Sequence, residues 1–120
     1  MRDERTYLWD MADRARMALR MVDGLTFEHF LADDKTREAT IYQIALIGEG
    51  ASKISISTRD LLPNLPFKQM SAMRNIVIHV YWGVRMENVW STVNQDFPIL
   101  IEIIDKYLAS SAPPPSTPDP

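Results

Sequence analysis

No cysteine occurs in this 120-residue chain, which excludes disulfides and thiolate metal sites. Histidine is nearly as scarce: His29 and His79 are the two imidazoles, too few for a His-rich metal centre. Charge of one sign is not in excess either, at net −3 with a pI near 5.3. The chain therefore lacks the broad basic field of proteins that hold nucleic acid by charge alone, and any such contact has to come from a local patch. No apolar run approaches a membrane span, and the start Arg2-Asp3-Glu4-Arg5 is no signal peptide. The expectation is a soluble cytoplasmic protein. No alternating strand pattern and no internal repeat is found.

What is present is helical periodicity. Residues 3–23 place Leu8, Met11, Ala12, Ala15, Leu19 and Val22 at helical spacing, with Gly24 as a stop. Asp10 and Arg14 form an i, i+4 pair expected on the outer face, and Arg16 and Arg20 make a small basic ridge, read as solvated surface or as an RNA contact. Thr26 caps a single expected turn over 26–31, which carries His29 as a surface or satisfied residue rather than a catalytic one. A second long helix is expected from about Lys35 to Ile56, with Asp34 as N-cap and Ile41, Ile44, Ala45, Ile47, Ala51 and Ile54 as its apolar stripe. Gly48 and Gly50 inside it each cost about 1 kcal/mol relative to Ala, which points to close approach of another helix. Glu49 lies between them, either a solvent-facing acid or the carboxylate that orients Arg74 or a partner residue.

The connector 61–66 ends in Pro66, suited to the first turn of a helix over about 67–81. A last helical pattern runs from about Met86 to Leu108 through Val89, Trp90, Val93, Phe97, Leu100, Ile101, Ile104 and Leu108, and Pro98 should kink or split it. The fold class is all-α: an up-down bundle of four main helices plus one short helical turn over residues 1–110. The Pro-rich residues 111–120 have nothing to bury and are expected to be a disordered tail.

The third helix carries the chemistry. Residues 72–81 set Arg74, Asn75, His79 and Tyr81 among Met, Ile and Val. On a helical wheel Met73, Ile76, Val77 and Val80 make a core-facing stripe, while Asn75 and His79 stack one turn apart on another side. Arg74 lies about 140° from His79, yet a long guanidinium side chain can reach a groove that His79 also lines. Ile78 is apolar inside that polar arc, which suggests a cover, most simply a second copy of the chain. The alternative is a satisfied polar patch at a helix–helix contact.

These residues resemble a known family. Arg74, His79 and Tyr81 match the Arg-x4-His-x-Tyr motif of HepT-like proteins, small HEPN-domain toxins of toxin–antitoxin systems. Leu46-Ile47-Gly48-Glu49 matches that family's Ile-Gly-Glu-Ala helix, Leu65-Pro66-Phe67 its Ile-Pro-Trp entry, and Tyr81-Trp82-Gly83-Val84 its Tyr-Phe-Gly-Val exit. With Val89-Trp90 the resemblance covers residues 5–108. Gly50, Phe67 and Arg85 depart from the usual Ala, Trp and acid, and none touches Arg74, His79 or Tyr81. The resemblance implies a HEPN-like, homodimeric, metal-independent endoribonuclease toxin of a type II/VII-like pair, without cofactor. Arg74 and His79 would be catalytic, with Asn75 and Glu49 in support. It also implies a minimal nucleotidyltransferase antitoxin that attaches AMP to Tyr81. The competing reading is a non-catalytic nucleotide-sensing or docking module for that nucleotidyltransferase.

Overall fold

A computed structural model describes residues 3–79 and 85–110, with the backbone alone for residues 75–79. Every regular element among the described residues is helical: α1 (Glu4–Val22), α2 (Phe27–Ala32), α3 (Asp34–Ser52), α4 (Ile56–Asp60), α5 (Phe67–His79), α6 (Met86–Ser91), a π-helical turn (Thr92–Asp96) and α7 (Phe97–Ser110). This is the expected all-α bundle of four main helical segments, with α2 as the short turn. Residues 80–84 and the Pro-rich segment 111–120 lie outside the described residues.

Local chemistry sets the ends. Asp3 accepts the Arg5 N–H at 2.7 Å and starts α1. The chain leaves α1 through Gly24 at φ 77°, a left-handed conformation that only glycine adopts at no steric cost. Thr26 caps α2 as expected, accepting from His29 N–H at 3.1 Å; His29 is exposed.

Two boundaries depart from the expectation. The cap of α3 is Asp33, not Asp34: its backbone is extended and its carboxylate accepts from Thr36 N–H at 3.0 Å. Neighbouring Asp residues are equally able caps, and only the one outside the helical turn can aim back at it. Helix α3 also stops at Ser52 rather than near Ile56. Ser55 then caps the separate α4, and Arg59 closes the end of α3 by donating to the Ile54 and Ala51 carbonyls, both at 2.9 Å.

The last helix is split where Pro98 predicts trouble. Pro98 has no N–H for the carbonyl four residues back, and the turn before it widens so that Phe97 N–H bonds Thr92 O. That widening keeps Val89, Val93, Phe97, Leu100, Ile104 and Leu108 all in the core.

Among the described residues the core joins the stripes expected of α1, α3 and α6–α7 with Phe30, Leu62, Leu65 and Phe67. Of the stripe expected on α5, Met73 is half-buried, and Ile76, Val77 and Val80 lie outside the residues whose side chains are described. Leu8, Met11, Ala12, Ala15 and Val22 of α1 are buried against Ile41, Ile44, Ala45, Ile47 and Ala51 of α3 and the α7 stripe. Phe30 of α2 stacks obliquely on Trp90 of α6, ring centroids 5.2 Å apart. Helix α1 sits between α3 and α7, while α5 packs chiefly on α3.

Arginines cross each seam. Arg14 bonds Asp10 at 3.0 Å but also reaches Gln43 of α3 at 3.1 Å, so this pair lies half-buried at the α1–α3 contact rather than on the outer face. Arg16 pairs with Asp105 of α7, so half of the basic ridge serves the α1–α7 contact while Arg20 stays exposed.

Candidate functional site

Helix α5 meets α3 at Gly48. A Cβ there would lie 2.6 Å from both Arg74 Cβ and the Met70 carbonyl oxygen, so the backbones touch where any other residue would hold them apart. This is the close helix approach expected from the two glycines; at Gly50 the neighbour is Met11 of α1, at 2.8 Å. The contact at Gly48 sets the register of the two helices and leaves the next residue, Glu49, level with Arg74.

Arg74 Nη1 donates to Glu49 Oε2 at 2.5 Å. The second carboxylate oxygen, Oε1, lies 3.7 Å from Lys53 Nζ, one turn further along α3. Glu49 thus bridges two cations, and the Arg74 hydrogen bond is the chief cause that holds its carboxyl below the usual carboxylate range. Partial burial opposes that shift, and the charges of Arg74 and Lys53 add to it. The Arg74 side chain is 25% exposed, against 47% for Glu49 and 50% for Lys53. The guanidinium lies beneath, with the carboxylate and the ammonium toward solvent.

Glu49 shows features of both sequence readings: it is half-exposed, as a solvent-facing acid would be, and it is paired with Arg74. Lys53 was missed, although Glu49 and Lys53 stand at the i, i+4 spacing that signals a helical ion pair. Asn75 and His79 lie on α5 within the part described by backbone alone. His79 stands five residues beyond Arg74, about 7.5 Å along the axis. Tyr81 lies outside the described residues. Arg85, which stands where an acid was expected, pairs with Glu87 at 3.0 Å.

On the flank of the same contact, a groove of about 460 Å³ opens between α3, α5 and the π turn. Ile47, Gly48, Met70, Met73, Phe97 and Ile99 supply much of its apolar wall. Among the described residues, no three His, Asp or Glu side chains come together as a metal site would require. None of the described helices is long and apolar enough to cross a membrane. A guanidinium held in one orientation is a ready anion binder, since its planar fork of donors matches the oxygens of a phosphate.

Comparison with known proteins bears on which anion. The family model described as ribonuclease HepT-like matches residues 11–107. The probable ribonuclease HepT of Thermococcus cleftensis is 35% identical over 99 residues, covering 82% of this chain and 90% of its own. A Methanocaldococcus jannaschii protein provisionally named an RNase is 31% identical over 97 residues, 81% of this chain and 89% of that one. Another such protein, from Caldanaerobacter subterraneus, is 27% identical over 108 residues, 90% and 96% of the two chains. No solved structure matches this chain significantly. The match runs from α1 to α7 and takes in Glu49, Arg74, His79 and Tyr81 alike, so the chain belongs to the HepT-like ribonuclease family.

Proposed function

We propose that this protein is a metal-independent endoribonuclease that cuts RNA with Arg74 and His79 at the cleft of a homodimer. The observation that carries the reading is the Arg74–Glu49 pair, seated at the Gly48 contact inside the span matched by the ribonuclease family.

RNA brings its own nucleophile. The 2′-oxygen attacks the neighbouring phosphorus, the P–O5′ bond breaks, and a 2′,3′-cyclic phosphate is left. His79 takes the 2′-hydroxyl proton as general base. A second proton has to reach the departing 5′-oxygen, and the partner's His79 across a two-fold axis supplies it. Arg74 binds the non-bridging oxygens as their charge grows. Asn75 holds the imidazole ring or contacts phosphate, and Glu49 holds Arg74.

The protein acts as the toxin of a toxin–antitoxin pair, silenced by a minimal nucleotidyltransferase antitoxin. That partner joins the Tyr81 phenol oxygen to the α-phosphorus of ATP and releases pyrophosphate. The added AMP brings a negative charge within reach of Arg74 and blocks the incoming RNA backbone.

Purified protein freed of any partner should cut RNA in the presence of EDTA and leave 2′,3′-cyclic ends. Arg74→Ala and His79→Ala should each abolish cutting with the helical signal unchanged. If the wild-type protein cuts no RNA under any condition tested, the reading gives way to that of a non-catalytic nucleotide-sensing or docking module.

A further inference from the structure

We propose that Glu49 is a built-in stand-in for the RNA phosphate: it holds the Arg74 guanidinium in the free protein, then yields it to the phosphate and is kept by Lys53. The inference rests on the ribonuclease reading and names how the same site admits its substrate.

The geometry has three parts. The two carboxylate oxygens face different cations, Oε2 to Arg74 Nη1 at 2.5 Å and Oε1 to Lys53 Nζ at 3.7 Å. A carboxylate and a phosphate offer a guanidinium the same kind of oxygen, so Nη1 cannot serve both in one geometry. The exposures order the exchange: Glu49 and Lys53 are about half exposed and Arg74 a quarter, so an approaching backbone meets the outer pair before it reaches Arg74.

Lys53 makes the exchange feasible. A carboxylate stripped of its only cation would repel the incoming phosphate, whereas one turned toward Lys53 remains paired. Both residues stand on α3, one turn apart, so the carboxylate moves by side-chain rotation alone. The backbones cannot follow, because Gly48 is already in contact with Arg74 Cβ and the Met70 carbonyl. Glu49 is therefore a positioning residue: it keeps the guanidinium aimed while the site is empty and sets how strongly an anion must bind to replace it.

The test pairs binding with turnover. Two probes report binding: inorganic pyrophosphate, and a 2′-O-methyl RNA oligonucleotide that cannot be cut. Glu49→Gln keeps an oxygen that accepts from Arg74 but removes the charge. It should bind both probes about two- to fivefold more tightly, the range expected for removing a solvent-screened ion pair. Glu49→Ala, which also loses the brace, should have a kcat roughly tenfold or more below that of Glu49→Gln. Lys53→Ala should weaken binding, and the loss should vanish in the Glu49→Gln background.

Unchanged or weaker binding by Glu49→Gln overturns the proposal. So does a Lys53→Ala loss that persists without the Glu49 charge, since Lys53 then holds phosphate directly. Absence of Arg74-dependent pyrophosphate binding in wild type and Glu49→Gln alike also overturns it. Failure of the ribonuclease reading looks different: wild type cuts no RNA, while the pyrophosphate arm still decides the hand-over.

Discussion

A single missing Cβ at Gly48 decides how near Arg74 comes to Glu49. An added methyl would meet Arg74 Cβ and the Met70 carbonyl oxygen at 2.6 Å. Neither atom can rotate out of the way, because one is bonded to the α5 backbone and the other belongs to it. Ala gains about 1 kcal/mol over Gly in helix propensity, but forced overpacking costs about 1–3 kcal/mol or more. Gly48→Ala should therefore lose up to about 2 kcal/mol of net stability in urea unfolding. It should lose RNA cleavage as well, as α5 is pushed off α3. Gly50→Ala meets the bendable Met11 side chain instead, at 2.8 Å, and should cost less. Wild-type activity in Gly48→Ala would mean that the helix contact does not aim Arg74. Tyr81→Phe tests the proposed control at the same scale. It should keep ribonuclease activity and show no added AMP by intact mass after incubation with the nucleotidyltransferase and ATP. The same added mass on the Phe variant would remove Tyr81 from the control.

At the level of elements, α1 is tied to α4 by one carboxylate. Glu4 Oε2 accepts from Thr58 Oγ1 at 2.6 Å and from Ser55 Oγ at 3.2 Å, and Ser55 N–H donates to Oε1. The Thr58 hydroxyl is the chief cause that holds the Glu4 carboxyl below its usual range, against partial burial. Its folded pKa lies below the unfolded one. The group therefore stabilises the fold above the unfolded value, and that contribution is lost as pH falls through the folded one. Thr58→Val should lower stability at pH 7 by about 1 kcal/mol and flatten the fall in melting temperature on acidification below about pH 4.5. An acid limb parallel to that of wild type would show that Glu4 does not carry it. The π turn before Pro98 is a second such device: it spends one irregular turn to keep two apolar stripes in one core.

Among the described residues, the bundle leaves a flank beside α5 open as a groove. Helix α5 leans chiefly on α3, and the groove beside it is lined in part by Ile99, which is 57% exposed. Ile103 and Tyr107, half-buried, continue that line at four-residue spacing along α7. A second copy of the chain covering this flank would place two α5 helices side by side, as the two-histidine mechanism requires. Ile99→Lys should then shift light scattering from dimer toward monomer and lower cleavage at micromolar protein, with helical content unchanged. A wild-type monomer at that concentration, or a fully dimeric Ile99→Lys, would place the interface elsewhere.

The repeat of apolar residues was enough to settle the four main helical segments and the buried faces of α1, α3 and α7, though not the early end of α3 or the separate α4, because a helix must turn its apolar stripe inward whatever its neighbours are. Hence Leu8, Ile44 and Ile104 were legible as core. So were the Thr26 cap and the trouble at Pro98, whose causes lie within a turn of the residue. The family resemblance in the motifs around Glu49 and Arg74 was legible too, since it is carried by residue types in order. What the chain alone left open was which partner each polar side chain takes. Glu49 and Arg74 are 25 residues apart, Glu4 and Thr58 54, and Arg16 and Asp105 89. No local rule joins such pairs; helix packing does, and at Glu49 it acts through a glycine whose missing side chain lets α5 come into contact with α3.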